Sequence, residues 1–300
     1  MRYRKTIHTV FFCIILSLLG TGAVAFDKIP IFVSVLPQKY FVEKIGGDQV
    51  TVSIMVQPGA SPTTYEPKPK QMIGLSSAKI YYAIGVPFEK AWLNKFSAIN
   101  PDMRIIHTDI GVTKIKMSSH ADGGLHREIP DPHIWTSPVL VKIQARNILD
   151  GLLDIDPSHK SEYTARYNAF LQELSALDAD LRALFSDHTT QPTGFMVFHP
   201  AWGYFAKAYG LRQIPIEIEG KTPKPAQIRQ LIEDARCQGI RVIFVQPQLS
   251  AKNAAIIAKA IGGKVVTADP LAPDWAANIR RQAQIFESTL KARAKHNTKK

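Results

Sequence analysis

The feature that most restricts this chain lies near its middle. From Pro157 to Phe185 no glycine or proline occurs after the first residue. Over the same stretch Tyr163, Tyr167, Phe170, Leu171, Leu174, Leu177, Leu181 and Leu184 recur at three- and four-residue steps. That period predicts one unbroken amphipathic helix. Pro157 suits its first turn and Asp156 its N-cap. About 28 residues at 1.5 Å each give a rod roughly 42 Å long. A rod of that length crosses a whole molecule, permits small rocking and resists wide hinge opening.

On either side of the rod the pattern changes to short apolar runs. Four precede it, at Ile31–Leu36, Thr51–Val56, Lys79–Ile84 and Arg104–Thr108. Four follow, at Gly194–His199, Gln213–Ile218, Val242–Gln246 and Lys264–Ala268. Amphipathic segments such as Pro37–Ile45 and Ile228–Gln238 separate most of them. The alternation predicts an α/β fold of two similar lobes, each a roughly four-stranded, mainly parallel sheet flanked by helices. The expected boundaries are residues 26–156 for the N-terminal lobe, 157–187 for the linking helix and 188–290 for the C-terminal lobe. Residues 291–300 form a basic tail, expected to be frayed and solvated.

The first twenty-five residues read as a cleavable export signal. Arg2, Arg4 and Lys5 precede an apolar run from Val10 to Leu19, and Ala23-Val24-Ala25 offers the small residues a signal peptidase reads. The run falls short of the about 20 residues a membrane span needs, so a soluble product in the periplasm is expected. Removing residues 1–25 lowers the formal charge from +12 to +9. The remaining positive charges are scattered and the chain is exported, so no nucleic-acid partner is expected. Cys237, the one cysteine left after removal of the signal, has no internal disulfide partner. It falls in a helical pattern beside Ile232 and Ile240 and is expected to be buried packing.

In open α/β sheets ligands sit beyond the carboxyl ends of the strands. Three metal-type side chains fall there: His199 after Phe195–Phe198, Asp269 after Val265–Ala268, and His133 in the loop Asp131-Pro132-His133-Ile134-Trp135. Two imidazoles and a carboxylate are a common set for a divalent transition metal.

At these residues the chain resembles the metal-binding receptors of bacterial ABC importers for zinc and manganese. Those are two-lobed periplasmic proteins joined by one long helix. The resemblance runs through Gln57–Pro67, Asp131–Trp135 with Ser137-Pro138, His199–Phe205 with Ala208–Leu211, and Asp269-Pro270-Leu271. It implies capture of one divalent ion in a cleft, with His133 from the first lobe and His199 and Asp269 from the second. It also implies a membrane permease as partner, a monomer, and no catalysis.

One departure from the family pattern bears on the site. Thr63 stands where the family places a histidine. Either water completes the coordination, with Thr63 lining the cleft, or a nearby histidine such as His120 or His126 takes the place. The third alternative is a site that has lost high-affinity binding and serves another purpose, such as an adhesion-like receptor. His199, where manganese-selective relatives carry a glutamate, favours Zn2+ over Mn2+ on ligand softness. A zinc hydrolase is the alternative of another class, because three ligands and an open position also describe catalytic zinc. The chain carries no His-Glu-x-x-His helix and no Gly-x-Ser-x-Gly elbow to support it.

Overall fold

The computed structural model of the chain describes residues 28–117, 129–188, 193–217 and 223–297. The export signal at residues 1–25, His120 and His126 lie outside the described residues.

Each expected strand is present. In the first lobe β1 (Ile29–Val33), β2 (Val50–Ile54), β3 (Ile80–Ala83) and β4 (Arg104–His107) form a parallel sheet in the order β2-β1-β3-β4. In the second β5 (Thr193–Val197), β6 (Leu211–Pro215), β7 (Val242–Val245) and β8 (Lys264–Thr267) repeat that topology as β6-β5-β7-β8. The inner strands β3 (Ile-Tyr-Tyr-Ala) and β7 (Val-Ile-Phe-Val) are buried at every residue, as strands covered on both faces must be. Strand order reverses between β1 and β3, and between β5 and β7. The crevices beyond those two switch points are where such sheets take ligands.

Helices α1 (Leu36–Gly46), α2 (Pro69–Leu75), α3 (Glu89–Ile99) and α4 (Pro138–Ile155) belong to the first lobe. The connecting rod is α5 (Lys160–Leu184), and α6 (Gly203–Ala208), α7 (Pro225–Cys237), α8 (Lys252–Ala260) and α9 (Trp275–Asn297) follow. The rod opens later than its pattern suggested, because Pro157–His159 is a 3-10 turn. Asp156 does not cap a backbone N–H there. Its carboxylate instead accepts from Ser158 Oγ at 2.5 Å, His159 Nδ1 at 2.6 Å and Tyr163 Oη at 2.7 Å. From that start α5 buries Tyr163, Phe170, Leu174, Leu177 and Leu181 along one stripe, packed on α1, α4 and α9.

The last helix ties the lobes together. Trp275, where α9 begins, meets Phe41 of α1 edge-on with ring centroids 5.0 Å apart. Further along, Phe286 packs on Phe195 of β5 and Phe244 of β7, at 4.6 and 4.7 Å. The helix continues to Asn297, into the stretch read as a basic tail. One hydrophobic core therefore runs through both lobes, and a second covers the other face of the β5–β8 sheet. Cys237 departs from the expectation of burial, because it is exposed. The buried face of α7 carries Leu231 and Ala235, and two further residues turn the helix by about 200° off that face.

Candidate metal centre

His133 is oriented by its own loop. The Asp131 carboxylate accepts the His133 backbone N–H at 2.9 Å, which folds Asp131-Pro132-His133 into an Asx turn. The same oxygen, Oδ1, meets His133 Nδ1 at 2.7 Å and locks the ring. Both residues are buried, Asp131 almost wholly. Burial pulls the imidazole below its ordinary pKa, against the Asp131 carboxylate, which raises it, and the net shift is downward. The ring is therefore neutral near pH 7, the form that ligates metals.

His199 is oriented across the sheet. Gln246, one residue beyond β7, accepts its N–H at 3.4 Å and donates to its carbonyl at 2.8 Å. Both residues stand at the switch point of the second lobe. The Glu217 carboxylate meets His199 Nδ1 at 2.6 Å.

These two constructions bring the imidazoles together edge-on, with ring centroids 5.1 Å apart and planes 75° to each other. His133 Nε2 and His199 Nε2 lie 3.3 Å apart across the lobe boundary. In the tautomer that places the proton on Nδ1, facing the carboxylate, each Nε2 presents a lone pair. Two such lone pairs at that separation suit a cation held between them. Two nitrogens bound to one tetrahedral zinc at 2.0–2.1 Å would stand about 3.3 Å apart. The carboxylate behind each imidazole is the outer shell that metal-ligating histidines generally carry.

Of the residues singled out from sequence, His133, His199 and Thr63 line one cleft. Asp269 is placed beside it. Its Oδ1 accepts from Gln248 Nε2 and the Leu271 N–H, both at 2.9 Å, and it lines a neighbouring cavity. Among the described residues no group of three His, Cys, Asp or Glu side chains converges. Sequence reasoning did not pair Glu217 with His199 and overlooked the role of Asp131. The Asp-x-His spacing of the Asx turn was the available signal for Asp131.

The lobes meet firmly around the pair. Trp135 Nε1 donates to the Pro270 carbonyl at 2.9 Å, and Trp275 Nε1 to the Trp135 carbonyl at 2.7 Å. Tyr204 of α6 donates to the Asp131 carbonyl at 2.8 Å.

Two like lobes, one rigid connector and an imidazole pair at their junction define the class of two-lobed binding proteins, with a candidate metal centre where the lobes meet. The particular family follows from comparison. Residues 31–289 match the family described as ZnuA, zinc-uptake complex component A, periplasmic, and the chain belongs to that family. It is a family of metal-uptake binding proteins, not of enzymes. A crystal structure of ZnuA superposes with a TM-score of 0.82 at 42% identity, covering 88% of this chain and all of that one. The iron-binding protein YfeA of Yersinia pestis is 29% identical over 225 residues, 74% of this chain and 70% of its own. The high-affinity zinc uptake protein ZnuA of Bacillus subtilis is 26% identical over 252 residues, 79% of this chain and 77% of its own.

Proposed function

We propose that this protein captures zinc in the periplasm and delivers it to the membrane permease of an ABC importer. The observation that carries the reading is the Nε2–Nε2 approach of 3.3 Å between imidazoles from different lobes, each backed by a carboxylate. His133 and His199 are the protein's nitrogen ligands, with Asp131 and Glu217 as their positioning groups. Asp269 holds the Gln248 side chain and the Leu271 backbone in the cleft wall. Both bonds fall on Oδ1, which leaves Oδ2 as the oxygen it offers a metal. The names of the relatives divide between zinc and iron, and two imidazole nitrogens favour zinc. The signal-like pattern of residues 1–25 supports export to the periplasm.

The test is calorimetric titration of the metal-free mature chain with zinc, manganese and ferrous iron. Zinc is expected to bind tightest, and His199→Ala to abolish binding of all three. Failure of every ion to bind tighter than about 10 µM, roughly −7 kcal/mol, would remove the metal-capture reading.

A further inference from the structure

The two imidazoles belong to different lobes, so their separation is set by whatever joins the lobes beside them. Ligands hold an ion well only when they are kept within about 0.5 Å of the productive geometry. The first turn of α6 makes such a joint. It shares one segment with a ligand, His199-Pro200-Ala201-Trp202-Gly203-Tyr204, and that segment is pinned along its length. Gln246 bonds both the N–H and the carbonyl of His199. The Ala201 N–H donates to the His199 carbonyl at 2.8 Å, and the Trp202 N–H to Gln213 Oε1 at 2.6 Å. The Trp202 ring is fully buried against Phe205 and Phe286. A shift at Gly203 is therefore passed on to His199 rather than absorbed.

The first lobe meets this turn with a short antiparallel ribbon, Ile115–Met117 against Ile129–Asp131. Its bonds run from the Asp131 N–H to the Ile115 carbonyl at 2.8 Å and from the Met117 N–H to the Ile129 carbonyl at 2.9 Å. Tyr204 Oη closes the ribbon from the other lobe, accepting the Ile115 N–H at 3.1 Å and donating to the Asp131 carbonyl at 2.8 Å. Asp131 in turn orients His133 through two bonds to Oδ1. Gly203 governs how closely the two sides approach. It opens α6 with no positive φ, so space, not conformation, calls for glycine here. A Cβ would stand 2.9 Å from Asp131 Oδ2 and 3.3 Å from Ile115 Cδ1, inside normal van der Waals contact. The buried Asp131 carboxylate cannot retreat from it without turning the His133 ring.

We propose that Gly203 and Tyr204 are the positioning residues that fix the His133–His199 separation at the 3.3 Å one ion can bridge. The proposal rests on the metal-capture reading above and names the residues that set its geometry.

The experiment measures zinc affinity by competition with a chromogenic chelator, and the visible spectrum of the cobalt(II)-loaded protein, which reports ligand geometry. The variants are Gly203→Ala, Tyr204→Phe and, as a control, Tyr82→Phe. Tyr82 is also a buried phenol donating to a carbonyl, that of Ile148 at 2.8 Å, but it does not line the cleft. Gly203→Ala and Tyr204→Phe should each weaken zinc binding by about tenfold, as loss of a group supporting a metal ligand does, and alter the cobalt spectrum. Tyr82→Phe should leave both unchanged, whatever it does to the melting temperature of the metal-free protein. Tyr204→Phe decides alone if Gly203→Ala does not fold. Wild-type affinity and spectrum in the α6 variants overturn the proposal while metal capture stands. An equal loss in Tyr82→Phe overturns it too, because general destabilisation then explains the effect. If the wild-type protein binds neither zinc nor cobalt, metal capture fails and the proposal falls with it.

Discussion

At the scale of single residues, each of the two imidazoles is held at Nδ1 by a carboxylate, Asp131 or Glu217. Glu217 is the cleaner of the two to test, because Asp131 also holds its loop's Asx turn. Glu217→Gln keeps an oxygen that can accept from His199 Nδ1 but removes the negative charge behind the ring. Loss of such a partner typically costs 10–100-fold in metal affinity. We expect zinc affinity, measured by competition with a chromogenic chelator, to fall by about tenfold with the melting temperature of the metal-free protein nearly unchanged. Wild-type affinity in this variant would show that the 2.6 Å contact only packs the ring. The two partners differ in how visible they were beforehand. Asp131 is two residues from His133, a spacing that can be read directly. Glu217 is eighteen residues from His199 and reaches it only because β5 and β6 pair in register. No local pattern encodes that meeting.

At the scale of elements, the strands were legible because a buried parallel strand must be a short, unbroken apolar run. The rod was legible because its stripe repeats for seven turns. Its start was not, since the Asp156 carboxylate prefers three side-chain donors to the backbone. Nor was α9, although Trp275, Ile279, Ala283, Phe286 and Leu290 are all buried and follow a helical period. The basic residues after Leu290 drew the reading toward a solvated tail. The Asp156 cluster carries a prediction about pH. Burial raises its pKa, but bonds from Ser158, Tyr163 and His159 together outweigh that and hold it below the ordinary 3.8. A carboxyl depressed in the folded state adds stability above its unfolded pKa and loses it as pH falls through the folded value. Asp156→Asn should therefore be less stable by about 1–2 kcal/mol at neutral pH, with the deficit closing below about pH 3.8. Urea unfolding at the two pH values checks this, and an equal deficit at both would mean the charge plays no part.

At the scale of the molecule, the two lobes are similar in topology but not independent in energy. The core that fills the first lobe continues through Trp275 and Phe286 into the second. Indole and phenol hydrogen bonds cross the boundary beside the site. The proposed nitrogen ligands, His133 and His199, come one from each side of that boundary. Bound metal therefore tightens a junction that already unites the lobes, and both should respond to it as one unit. Zinc at 100 times its dissociation constant stabilises the folded state by about 2.7 kcal/mol. At 2–4 °C per kcal/mol, a large single unit gains roughly 5–10 °C in melting temperature. Differential scanning calorimetry should show one transition, moved upward as a whole by zinc. The radius of gyration should change little, because the α5 rod and the α9 staple oppose opening. Two separate transitions, with zinc moving only one, would mean that the shared core does not couple the lobes and that the metal is held by one of them alone.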